Sequence, residues 1–108
     1  LGDLIIMPKK NNWAEPVCWM YSILIDQDKT GVDRDELIKK LKEENIDSRP
    51  FFYPIHQMPP YQKHQGPKEF PVTDYLSARG LNLPSGANLS EEEIYYISNK
   101  IKNLLKNK

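Results

Sequence analysis

The most apolar run in the chain is "VCWMYSILID", residues 17 to 26, bounded by Pro16 on one side and the polar "QDKTG" on the other. Its β-branched and aromatic content predicts a strand, and its near-continuous hydrophobicity predicts burial on both faces. The turn after it delivers the chain to a helix: Asp33 caps it, Glu36 completes a capping box, and Val32 staples to Leu37. Leu37, Ile38 and Leu41 form one apolar stripe while lysines and glutamates take the solvent side, so the helix runs to about Glu44. Asn45 suits a left-handed exit.

"NIDSRPFFY" predicts a returning strand in which Pro50, lacking an amide donor, marks an edge or an irregularity. Residues 54 to 70 contain Pro54, Pro59, Pro60, Gly66 and Pro67 and predict a long loop, which in so small a domain points to function. "PVTDYLSARG" predicts a short helix opened by Pro71 and stopped by Gly80, and "LNLPSG" a short strand with Leu81 and Leu83 alternating. The last helix carries the clearest signals. Ser90 and Glu93 form a capping box, Leu89 and Ile94 a staple, and Ile94, Ile97, Ile101, Leu104 and Leu105 an apolar stripe, with lysines gathered where they complement the helix dipole. The predicted fold class is α+β, a small, mostly antiparallel sheet with helices on one face.

Composition narrows the function. The 108 residues suffice for one domain, 1–108, with one modest core. Lys plus Arg (15) balance Asp plus Glu (15), so no nucleic-acid partner is expected. No apolar run approaches the roughly 18 to 20 residues of a membrane span, so no membrane partner is expected either. Cys18 is the only cysteine, which removes intrachain disulfides and multi-cysteine metal sites and fits a cytoplasmic setting. Inside the apolar strand it reads as an inert core thiol. Because the chain starts at Leu1 rather than Met, it is expected to be a piece of a longer protein.

Candidate chemistry concentrates in "SRPFFYPIHQMPPY", residues 48 to 61, with four aromatics, four prolines and one of the two histidines. No phosphate-binding glycine loop, dinucleotide pattern or nucleophile elbow accompanies it, and His56 and His64 lack the further ligands that zinc needs. His56 either bonds a loop carbonyl or presents an imidazole to a phosphate, a sugar hydroxyl or a proton. Arg49 either captures an anion in bidentate fashion or pairs with Asp47 or Glu43. Phe51 and Tyr53 share one face of the extended segment and Phe52 takes the other, with one face in the core. Tyr61 is a pocket-lining phenol or a loop anchor, and Trp13 and Trp19 read as packing residues. "NLPSG", residues 82 to 86, offers backbone amides to an anion or is a plain strand exit. The residues alone leave open a free-standing α+β ligand- or peptide-binding module. Stacking of single-stranded nucleic acid on Phe51 and Tyr53 lacks a basic groove.

In order and content, "WMYSILID", "GVDRDELIKKLKEENIDSRPFFYPIHQMPPY" and "FPVTDYLSARGLNLPSGANLSEEEI" resemble the C-terminal domain of sugar aminotransferases of the DegT/StrS type, perosamine synthetases in particular. The resemblance covers roughly residues 13 to 104. It implies the small-domain fold of fold-type I enzymes dependent on pyridoxal phosphate. It also implies an activity that moves an amino group, usually from glutamate, to the keto carbon of a nucleotide-linked deoxysugar for surface polysaccharide or glycan. In such enzymes the Schiff-base lysine and the cofactor's phosphate-binding groups lie in a large N-terminal domain whose motifs are not matched here. The resemblance therefore implies no catalytic lysine and no bound cofactor in this chain, which would dock on its own large domain in a homodimer. His56 is the residue expected to reach the substrate. Arg49, Tyr53 and Tyr61 are expected on the same wall of the cleft.

Overall fold

In a computed structural model, residues 1–64, 66 and 68–106 are described. The sheet has four strands, β1 (Ile5–Ile6), β2 (Tyr21–Ile25), β3 (Arg49–Pro50) and β4 (Gly80–Leu83), in the order β1-β2-β4-β3 with every pairing antiparallel. The helices are α1 (Gln27–Thr30), α2 (Arg34–Glu43), α3 (Pro59–Gln62), α4 (Pro71–Arg79) and α5 (Glu91–Lys106).

Residues opposite one another in an antiparallel ladder share a face. Ile5 pairs with Ile25 and Ile23 with Leu81, so these four side chains form one apolar face. Against it pack Leu37 and Leu41 of α2 and Ile101 and Leu105 of α5, with Val32 and Ile46 closing the ends of α2. Val32, Leu37, Leu41 and Leu81 are wholly buried, and each such side chain stabilises the fold by about 1.5 to 3 kcal/mol. The expected α+β layer with helices over one sheet face is thus the observed one.

The opposite face is mostly open and partly polar. It carries Ser22, whose hydroxyl donates to Asn82 Oδ1 at 2.6 Å, and Arg49 in register with Asn82. Strand β2 is therefore buried on one face at Ile23 and Ile25, with Ser22 and Leu24 of the other face only partly covered, rather than on both. It is also shorter than the apolar run. The strand begins at Tyr21, and residues 17 to 20 lie outside it. Cys18 sits there with φ 46°, in the left-handed region, and is exposed instead of being a core thiol. Trp13 and Trp19 are likewise exposed (85% and 76%), so they are not packing residues of this chain.

Local signals account for most of the rest. Asp33 accepts from the Glu36 amide at 2.8 Å, and Asn45 leaves α2 with φ 58°. At α5 both halves of the capping box form: Ser90 N–H donates to Glu93 Oε2 at 2.8 Å, and Glu93 N–H to Ser90 Oγ at 3.2 Å. Ile94 is half exposed, so the buried stripe of α5 starts at Ile97, which packs on the core. The returning strand is only two residues long and lies at the sheet edge, as a proline there requires. β1, a two-residue edge strand, lies in a stretch with no strand signal of its own. No helix among the described residues is long and apolar enough to cross a membrane.

Candidate functional site

The segment after β3 is shaped by its prolines. Pro54 is buried, and a single 3-10 turn follows at Ile55–Gln57, closed by Gln57 N–H to Pro54 O (3.0 Å) and Met58 N–H to Ile55 O (3.1 Å). Pro59 then opens α3, where a missing amide costs nothing. Within the expected loop, the chain thus makes two short helical turns. Phe51 N–H donates to Gly80 O of β4 at 3.0 Å, and Ser77 Oγ of α4 to Phe52 O at 3.3 Å. Phe51 packs over Gly80, where a β-carbon would come within 2.4 Å of the ring.

His56 is turned onto α4. Its Nε2 lies 2.9 Å from Asp74 Oδ1, the same oxygen that accepts from Gln57 Nε2 at 2.8 Å. Its ring stands 4.8 Å from that of Phe70, tilted by 31°, and its side chain is only 11% exposed. A carboxylate side chain is its partner, where the sequence offered a backbone carbonyl or a free imidazole. Asp74, Gln57 and Phe70 carry little signal in the sequence, which offers only an acidic residue in the first turn of a helix opened by Pro71.

The four expected site residues do not converge on one point. His56 and Tyr61 line a recess of about 380 Å³ with Ile55, His64, Phe70 and Thr73. Tyr53 lines a cleft of about 180 Å³ with Phe51, Arg34, Gln57, Asp74 and Ser77. Gln57 and Asp74 thus stand between the cleft and His56. Arg34 donates through Nη1 to Ser77 O and through Nε to Asp35 Oδ1 at 2.8 Å, which holds a mostly buried guanidinium at the cleft wall. Phe51 and Tyr53 share this cleft, in keeping with their common face, whereas Phe52 is exposed and not core. Arg49 lies apart, highly exposed beside Asp47 at 3.8 Å, in a third depression with Trp19, Asn82 and Ser85. That depression also contains Gly86 of the "NLPSG" segment.

The described lysines do not fit a covalently held pyridoxal phosphate. An imine-forming lysine needs its amine unprotonated and enclosed. Among the described lysines only Lys40 and Lys100 are partly buried, and they pair with Glu36 (2.9 Å) and Glu44 (2.6 Å). The bond to Glu44 pushes Lys100 further above the usual amine range, away from the neutral form. No cluster of three or more His, Cys, Asp or Glu suited to a metal ion occurs among the described residues.

The DegT/DnrJ/EryC1/StrS aminotransferase family matches residues 2–102. GDP-perosamine synthase of Vibrio cholerae is 40% identical over 95 residues, 88% of this chain and 26% of that protein. GDP-perosamine synthase of Escherichia coli is 37% identical over 102 residues, 94% of this chain and 26% of that protein. A solved DegT/DnrJ/EryC1/StrS aminotransferase from Brucella abortus superposes with a TM-score of 0.83 at 28% identity, over 97% of this chain and 27% of that one. This chain therefore spans about a quarter of the length of these relatives. The match along nearly all of its residues, in sequence and in fold, makes it a member of the DegT/DnrJ/EryC1/StrS aminotransferase family.

Proposed function

We propose that this chain is the small C-terminal domain of a cytoplasmic, pyridoxal-phosphate-dependent aminotransferase that transfers an amino group from glutamate to a nucleotide-linked keto-deoxysugar. The observation that carries the reading is the coverage: relatives named GDP-perosamine synthase match 88% to 94% of this chain with about a quarter of their own length. Their name favours a GDP-linked substrate. When bound elsewhere in the protein, the cofactor serves as the electron sink that lets nitrogen move between donor and acceptor. The residues of this chain bind and orient. His56 meets the sugar with Tyr61 and Phe70 beside it as aromatic surface, while Tyr53 in the neighbouring cleft and the exposed Arg49 act on other parts of the substrate.

Docking of this domain on a large domain, within a homodimer, is supported by what is left uncovered. Val17 and Trp19, which line one depression together with Met20, are 92% and 76% exposed. Large apolar side chains grouped on a surface mark a contact face.

The test is an amino-transfer assay on the polypeptide encoded by the whole reading frame, with pyridoxal phosphate, isotope-labelled glutamate and a GDP-linked keto-deoxysugar. Label is expected in an amino sugar. Labelled glutamate left intact with every nucleotide-linked keto-sugar tried overturns the reading.

A further inference from the structure

We infer that Asp74 is a positioning residue: it holds the hydrogen of His56 on Nε2, so that Nδ1 is the nitrogen offered to a ligand, as an acceptor for a sugar hydroxyl. Only the identity of the ligand rests on the aminotransferase reading. The positioning rests on geometry.

Two donors, His56 Nε2 and Gln57 Nε2, converge on one oxygen of Asp74, at 2.9 and 2.8 Å. An ionised carboxylate only accepts, so the ring nitrogen facing it must carry the hydrogen. In a neutral imidazole the other nitrogen then keeps its lone pair, and which nitrogen does so is set by the bond the first one makes. Left alone, the ring rotates easily about its last torsion. Here Phe70 lies against one side at 4.8 Å, and the side chain is 11% exposed. The ring is held both by a bond and by packing.

Asp74 does not itself line the recess that His56 borders. It lies in the neighbouring cleft with Tyr53 and Arg34, so its influence on a ligand in the recess passes through His56. In the recess, Tyr61 and Phe70 supply aromatic surface and Thr73 a hydroxyl. Aromatic surface beside a hydrogen-bond acceptor suits a sugar ring, which is apolar on its C–H faces and carries donors at its edge.

The test reads the proton directly. Long-range hydrogen–nitrogen correlation spectra of the labelled 108-residue chain at about pH 9, where imidazoles are neutral, report the His56 tautomer. The Nε2–H form is expected in the native chain and in Asp74→Asn, whose side-chain oxygen still accepts. A mixture of both forms is expected in Asp74→Leu, with the fold checked by circular dichroism. An Nδ1–H form in the native chain overturns the proposal, as does an unchanged tautomer in folded Asp74→Leu. Should Asp74→Leu not fold, Asp74→Ala, which also lacks an acceptor, is read in the same way. In the whole-frame enzyme, Asp74→Leu is expected to lower kcat about tenfold, more than it changes KM. If that enzyme transfers no amino group at all, the functional reading fails while the tautomer result stands.

Discussion

Gly80 and Phe51 are in direct van der Waals contact. A β-carbon on Gly80 would lie 2.4 Å from Cγ of the Phe51 ring and 2.5 Å from both Cδ atoms. Gly80 is buried where α4 runs straight into β4, and its carbonyl accepts from the Phe51 amide. The ring is thus fixed to the sheet by backbone and side chain together, and it lines the cleft shared with Tyr53 and Asp74.

Gly80→Ala is therefore expected to destabilise the chain by about 1 to 3 kcal/mol, the usual cost of overpacking. Thermal denaturation checks this. In the double variant with Phe51→Ala the cost of the extra methyl should largely vanish, because the ring it meets is gone. Additive losses in the two variants would show that something other than this contact governs the site.

Ser90→Ala removes one half of a complete capping box at the start of the longest helix. A loss of about 1 kcal/mol is expected, read as a lower midpoint in urea with an unchanged slope.

The Lys100–Glu44 pair joins α5 to the end of α2, where Tyr96 Oη also donates to the Glu44 carbonyl at 3.2 Å. The bond to Glu44 raises the Lys100 amine above its ordinary value. A raised amine contributes stability that is fully present below its unfolded value of about 10.4 and is lost as pH rises through the higher folded value. The pair is partly exposed, so the effect is small. The stability difference between the native chain and Lys100→Gln should shrink as pH is raised above about 10. A difference that stays constant through that range contradicts the assignment.

The described lysines are exposed, or, for Lys40 and Lys100, paired with a carboxylate. Incubation with pyridoxal phosphate followed by borohydride reduction should give only scattered, substoichiometric labelling by mass spectrometry. One lysine labelled stoichiometrically would contradict the account.

What was legible in the sequence follows from the range of the forces involved. The caps of α2 and α5, the left-handed Asn45 and the edge placement of Pro50 are set by residues within one turn, and pattern reading found each of them. β1 is held by its ladder to β2, so two residues among "LIIMP" gave no period to read. Trp13, Val17, Cys18 and Trp19 were expected inside because hydrophobicity states that a side chain favours burial, not which surface buries it. Of the candidate site, His56 and Tyr61 share a recess as residues of one loop. The partner of His56 is Asp74, across that loop on another helix, a contact that only the fold creates.

The most direct test compares native and His56→Ala forms of the whole-frame enzyme for nitrogen transfer from glutamate to a GDP-linked keto-deoxysugar, with thermal midpoints measured alongside. Turnover per folded molecule is expected to fall at least about tenfold, the worth of one hydrogen bond strengthened in the transition state, with a smaller change in stability. Unchanged turnover per folded molecule, with the loss confined to the thermal midpoint, would make His56 a structural residue and contradict its place on the wall of the cleft.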